Sequence, residues 1–118
     1  MKKMAFMLIT VCLVGILTLT VAGSGASESG KVIFEKRGCG ACHDRTKDQT
    51  IDGLGPSLNQ IAEAYKGRKG DFSKFLKCES TPLVDKARFS IMHEQVVKVK
   101  DLSDSELKAL EKFICHGE

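Results

Sequence analysis

Two cysteines and a histidine fall within five positions at Cys39-Gly-Ala-Cys42-His43, a combination that no ordinary apolar core requires. Three chemistries bring thiols and an imidazole this close together. They are a thiol/disulfide redox pair, half of a metal site, and covalent attachment of a haem whose iron the histidine then holds. Each constrains the surrounding chain differently. A redox pair of the thioredoxin type sits where a strand meets a helix in a βαβ setting that lowers the first thiol's pKa. A structural zinc site uses a second closely spaced pair of ligands. A haem needs a second axial donor from elsewhere in the chain and segments that pack against the ring.

The N-terminus is set aside before the fold is read. Lys2 and Lys3 precede the uncharged apolar run from Met4 to Ala22, and the small residues Ser24 and Ala26 follow. That order is the basic, apolar and small-residue succession of a secretory signal, with cleavage expected after Ala22 or Ala26. The run is also nearly long enough to cross a bilayer, so an uncleaved N-terminal anchor is the alternative. Residues 1–26 are therefore read as the signal and 27–118 as the domain. Cys12, inside the apolar run, is assigned no role. The whole chain carries 18 basic and 15 acidic side chains; without Lys2 and Lys3 the balance is 16 to 15, which leaves no nucleic-acid footprint. A domain of about 92 residues has a marginal core of its own. Export to an oxidising compartment makes the remaining cysteines, Cys39, Cys42, Cys78 and Cys115, more than inert thiols.

The pattern along 27–118 is helical and interrupted, so an all-α class is expected, with about four short helices and long loops. Ser29 caps a first helix in which Ile33 and Phe34 are apolar, and Gly38 ends it. Residues 44–56 are polar and turn-rich. Leu58, Ile61, Ala62 and Tyr65 then follow the spacing of an amphipathic helix capped by Ser57. Asp71 is the expected cap of a third helix presenting Phe72, Phe75 and Leu76, which stops before Thr81-Pro82. Ser103 to Glu106 form a capping box, and Leu107, Leu110, Phe113 and Ile114 continue as a stripe. Residues 80–101 show no sustained helical period and are read as an extended loop, although Val96 to Lys100 has the look of a short strand. A loop that long has to pack on something, and a cofactor is one candidate.

That context bears on the three chemistries. No βαβ pattern surrounds Cys39 and Cys42, which follow a charged helix end. A zinc site would have to recruit the scattered Cys78 and Cys115. The haem reading uses Cys39, Cys42 and His43 in their given order: two thiols for covalent attachment and an adjacent imidazole for the iron. A lone methionine is ordinarily core filler. Met92, however, is the one methionine beyond the signal, lies in the unexplained loop, and follows His43 by about 50 residues, enough chain to return over the opposite face. It is the favoured second ligand. His93 is the rival donor and His116 reads as a surface residue. Lys66, Arg68 and Lys69 read as a solvated turn.

On these residues the chain resembles a small class I c-type cytochrome over 29–118. The likeness rests on residues 30–43, on Gly53 to Leu58, on Met92 and on the closing segment 102–114. The resemblance implies a cytochrome c fold around one covalent haem, attached at Cys39 and Cys42 and ligated by His43 and Met92. It implies that Gly30 and Phe34 meet Phe113 of the last helix, and that the Pro56 carbonyl orients the His43 ring. Leu58, Phe72, Phe75 and Phe89 are candidates to keep water from the site. The implied activity is not enzymatic. It is one-electron transport between transient redox partner proteins in the periplasm, with membrane contact only through an uncleaved N-terminus. The alternative is a haem-based ligand sensor or a redox-enzyme subunit whose sixth position is labile. Two departures stand out: Met92 lacks the proline often beside it in the family, and Cys78 and Cys115 are extra. The even count and the compartment lead to the expectation that Cys78 and Cys115 form a disulfide joining the third helix to the end of the last.

Overall fold

The computed structural model describes residues 28–118; the expected signal segment, with Cys12, lies outside the described residues. The described chain is all-helical, with five α-helices and no strand among the described residues. They are α1 (Gly30–Lys36), α2 (Leu58–Tyr65), α3 (Asp71–Leu76), α4 (Phe89–Val96) and α5 (Asp104–His116). None of them is long and apolar enough to cross a membrane.

Local chemistry accounts for the helix starts. The Ser29 hydroxyl accepts from the Val32 N–H at the head of α1. Ser57 with Gln60, and Ser103 with Glu106, form reciprocal capping boxes at the heads of α2 and α5, each satisfying two backbone donors that a helix start leaves unpaired. Asp71 is not the cap of α3: Gly70, at φ 80°, occupies that position without a side-chain bond. Asp71 is instead the first helical residue, and its carboxylate takes the Arg68 Nε at 3.0 Å.

Helix α5 is the hub, crossed by α1, α2 and α3. At the α1–α5 crossing the two backbones approach so closely that a Cβ on Gly30 would run into the Ala109 carbonyl and the Phe113 side chain. Phe34 and Phe113 meet beside it with ring centroids 5.3 Å apart, and Ile33 and Leu110 are each 1 % exposed. Helix α3 runs antiparallel along α5: Ser73 donates to Glu111 at 2.6 Å, and Lys77 reaches Asp104 at 2.7 Å near the other end.

Residues 80–101 overturn the extended-loop expectation. Short 3₁₀ turns at Lys86–Arg88 and Val97–Val99 flank α4. The strand-like valines are helical because burial decides their spacing: Val96, Val99 and Leu102 are buried and Val97 is exposed. A strand would have placed Val97 and Val99 on one face; a turn-by-turn winding buries the three that are apolar together.

Candidate haem site

The chain between α1 and α2 is held by hydrogen bonds at nearly every turn. Gly38, at φ 73°, ends α1 and lets Cys39–Ala41 wind as a 3₁₀ turn, so that the N–H groups of Cys42 and His43 both reach the Cys39 carbonyl. The Asp44 carboxylate then accepts from the N–H groups of Thr46 and Lys47, and these bonds hold it below the usual carboxylate range. Gly55 N–H returns to the Cys42 carbonyl at 2.8 Å, and Leu58 N–H to that of Asp44 at 2.8 Å. The loop thereby folds back on the cysteine pair. Arg45, absent from the expected set, fastens it to the hub: its guanidinium donates to the carbonyls of Phe113 and Ile114 and lies 4.8 Å from the Phe113 ring centroid. A lone arginine beside a histidine gives no sequence signal of such a role.

His43 is oriented by its neighbours. Its Nδ1 lies 2.8 Å from the Pro56 carbonyl. A carbonyl can only accept, so Nδ1 carries a proton, and in the neutral ring Nε2 is the nitrogen left with a lone pair. The ring lies against Gly55, where any Cβ would collide with it.

Cys39, Cys42, His43 and Met92 all line one cleft, which encloses about 1190 Å³ out to its open mouth. Its floor is apolar. Phe34, Leu58, Phe72 and Phe75 are each 7 % exposed or less. Phe89, expected with them, is not in the lining; its ring meets the edge of the exposed His93 ring at 5.5 Å. His93 points away from the cleft wall, and His116 is exposed at the end of α5.

Met92 occupies a helix rather than a loop. Arg88, Ile91, Met92, Gln95, Val96 and Val99 all face the cleft, a helical stripe at spacings of three and four. The stripe escapes a reading based on apolar periodicity because Arg88 and Gln95 interrupt it.

The structure does not bring the extra cysteines together. Cys78 and Cys115 are both free thiols, and the antiparallel course of α3 explains why. Cys78 follows Lys77, which reaches Asp104 at the head of α5, whereas Cys115 is eleven residues further along that helix, about 16 Å at the rise of an α-helix. A disulfide needs its Cα atoms within about 7 Å. The Cys115 thiol sits beside Glu111 and is pushed up to about 11, chiefly by burial. Of the cleft thiols, burial likewise raises Cys39, against the opposing charge of Arg37.

A flat, largely apolar group with two sites for thioether bonds fits this cleft. The walls are largely hydrocarbon, both thiols are in the lining, and a glycine lies against the His43 ring. No curated protein matches the chain. The family model for Cytochrome c matches residues 27–118, the whole segment that carries the cleft and every helix around it. The chain belongs to the cytochrome c family and binds covalent haem c.

Proposed function

We propose that this protein is a one-electron carrier in which Cys39 and Cys42 attach the haem and His43 and Met92 are the axial ligands. The bound group supplies an Fe(III)/Fe(II) couple. The observation that carries the reading is the convergence of His43 and Met92 on one apolar cleft, with the His43 tautomer already fixed toward ligation through Nε2 by the Pro56 carbonyl. A carbonyl accepting from Nδ1 orients the ring and raises the basicity of Nε2. A thioether opposite the imidazole favours the reduced iron and raises the potential over two nitrogen donors. Buried Leu58, Phe72 and Phe75 exclude water from the site, so little solvent has to rearrange when the charge changes. Exchange takes place at the open mouth, with redox partners in small and short-lived interfaces. Such partners, and a periplasmic setting reached through the N-terminal signal, belong to the same proposal.

A second reading, a ligand sensor with a labile sixth position, draws on the light packing of α4 against the other helices. Visible spectra of the holoprotein, reduced and then exposed to carbon monoxide, separate the two. The carrier gives a low-spin spectrum that carbon monoxide leaves unchanged, and Met92→Ala makes it responsive. A marked shift in the unaltered protein would overturn the carrier reading in favour of the sensor.

A further inference from the structure

We infer that Arg88 is a positioning residue that holds Met92 in the cleft by strapping α4 to the loop carrying the His43 partner; the inference rests on the reading of Met92 as an iron ligand. Helix α4 makes substantial contacts only with the turns that flank it, unlike α5, which three helices cross. Of its own residues only Val96 is buried. What fixes it laterally is a set of side-chain bonds along residues 83–101. The Leu83 N–H donates to the Tyr65 hydroxyl at 3.3 Å. Arg37 forks onto both carboxylate oxygens of Asp101, at 2.9 and 3.2 Å, and also donates to the Lys98 carbonyl. Between these two anchors stands Arg88, whose Nη1 donates to the Leu54 carbonyl at 2.9 Å.

Three features make Arg88 the anchor that matters for the ligand. It immediately precedes α4 and lies one helical turn before Met92, so both side chains fall on the cleft face. Its acceptor, Leu54, is two residues from Pro56, so the bond spans from the distal helix to the segment that orients His43. Its guanidinium is itself held, since Nε pairs with the Asp85 carboxylate at 3.0 Å, with the two side chains only 31 % and 19 % exposed. Asp85 adopts a left-handed φ of 50°, the turn that brings its carboxylate back beside Arg88, and aspartate tolerates that conformation better than most residues. A charge-assisted bond with limited solvent access is worth more than an exposed one. The other two anchors lie nine residues before Met92 and six or more after it, so they fix the ends of the segment and leave α4 free to lift.

Loss of the strap leaves the fold and the covalent haem in place but lets α4 swing outward, and the sixth position then admits external ligands. The test is a titration of the ferric holoprotein with imidazole, together with the weak long-wavelength methionine-to-iron band. It compares the unaltered protein with Arg88→Gln, Arg88→Lys, Met92→Ala and, as a solvent-exposed arginine paired with a carboxylate elsewhere, Arg68→Gln. Arg88→Gln is expected to bind imidazole about tenfold more tightly, the scale set by loss of one charge-assisted bond from an opening equilibrium, and to weaken the methionine band. Arg88→Lys, which keeps the charge but not the two-armed geometry, falls between, and Arg68→Gln is unchanged. If Arg88→Gln and Arg88→Lys stay within twofold of the unaltered protein while Met92→Ala binds imidazole tightly, the strap is overturned and the ligand stands. If Met92→Ala leaves the band and the affinity unaltered, the ligand assignment falls and the strap falls with it. Should Arg88→Gln fail to take up haem, Arg88→Lys decides alone by the same twofold criterion.

Discussion

The two sides of the cleft are built on different principles. The His43 side is fixed by backbone bonds that recur every few residues, from Cys39 to Leu58, and it is fastened to α5 through Arg45. The Met92 side is a single helix tied down at three separated points. The first arrangement can yield only by unfolding, because its bonds interlock with the α1–α5 crossing. The second can yield by itself, since α4 has little of its surface buried in the rest of the molecule. A cleft assembled this way has His43 as part of the scaffold and Met92 held by adjustable restraints.

The sharpest way to break that contrast is at the crossing beneath His43. Gly30→Ala puts a methyl group where the Ala109 carbonyl and Phe113 already stand, and neither is the free end of a flexible chain. The helices must separate, and overpacking of this kind costs about 3 kcal/mol. Denaturant unfolding of the holoprotein checks this, with the loss appearing as a lower midpoint at unchanged slope. A loss under about 1 kcal/mol would mean that α1 and α5 part readily, and that the His43 side is no stiffer than the other.

Val96 sharpens the comparison from the distal side. It is the one fully buried residue of α4, and Val96→Ala removes two carbons from the core, for about 2 kcal/mol. The expected signature is uneven. Amide exchange in residues 90–96 accelerates more than the global loss accounts for, because that helix opens locally, while amides of α5 accelerate only in step with global unfolding. Uniform acceleration would show that α4 is part of the same cooperative unit as α5.

The same division governs what could be read from the residues. The paired cysteines with His43 and the first, second and last helices are written in short-range signals: a five-residue cluster, Ser caps, a Gly30 followed three and four residues later by Ile33 and Phe34, whereas the Pro56 partner is implied by the family resemblance. Those signals depend on neighbours in sequence, so the all-α fold and the proximal wall were legible. The distal helix is not local in that sense. Arg88 faces the cleft and bonds across the fold to the Leu54 carbonyl, Gln95 faces the same cleft, and their polarity hides the period that Ile91, Met92, Val96 and Val99 would otherwise display. The valines at 96–99 carry strand propensity that burial overrides. Arg45 and Arg37 make their bonds to residues more than 60 positions away, and nothing near them in sequence announces it. The structure does not join Cys78 to Cys115, and the sequence could not show their separation for a related reason. An even cysteine count says that pairing is possible, but only the antiparallel path of α3 along α5 shows that the two lie at opposite ends.

Cys115 offers the mildest test, on the scaffold side. In the unfolded chain its thiol ionises near the ordinary value of 9.0, whereas in the folded protein burial holds it protonated up to about 11. Because the folded value is raised, the associated stability is fully present below about pH 9 and declines as pH rises toward 11, where the unfolded chain sheds the proton first. The thiol is half-exposed to solvent, so the decline is about 1 kcal/mol, less than a fully buried group would give. Cys115→Ser is therefore expected to flatten the alkaline limb of a melting-temperature profile relative to the unaltered protein, while leaving the neutral region nearly unchanged. The same protonation keeps the thiol quiet: alkylation at pH 8 proceeds about fivefold more slowly in the folded protein than in the unfolded one, the same ~1 kcal/mol read as a thiolate fraction. In denaturant without reductant, Cys78 and Cys115 both label. If neither labels until a reductant is added, the two thiols are joined, α3 does not run along α5 as described, and the rigid half of the comparison would have to be redrawn around a crosslink instead of a helix crossing.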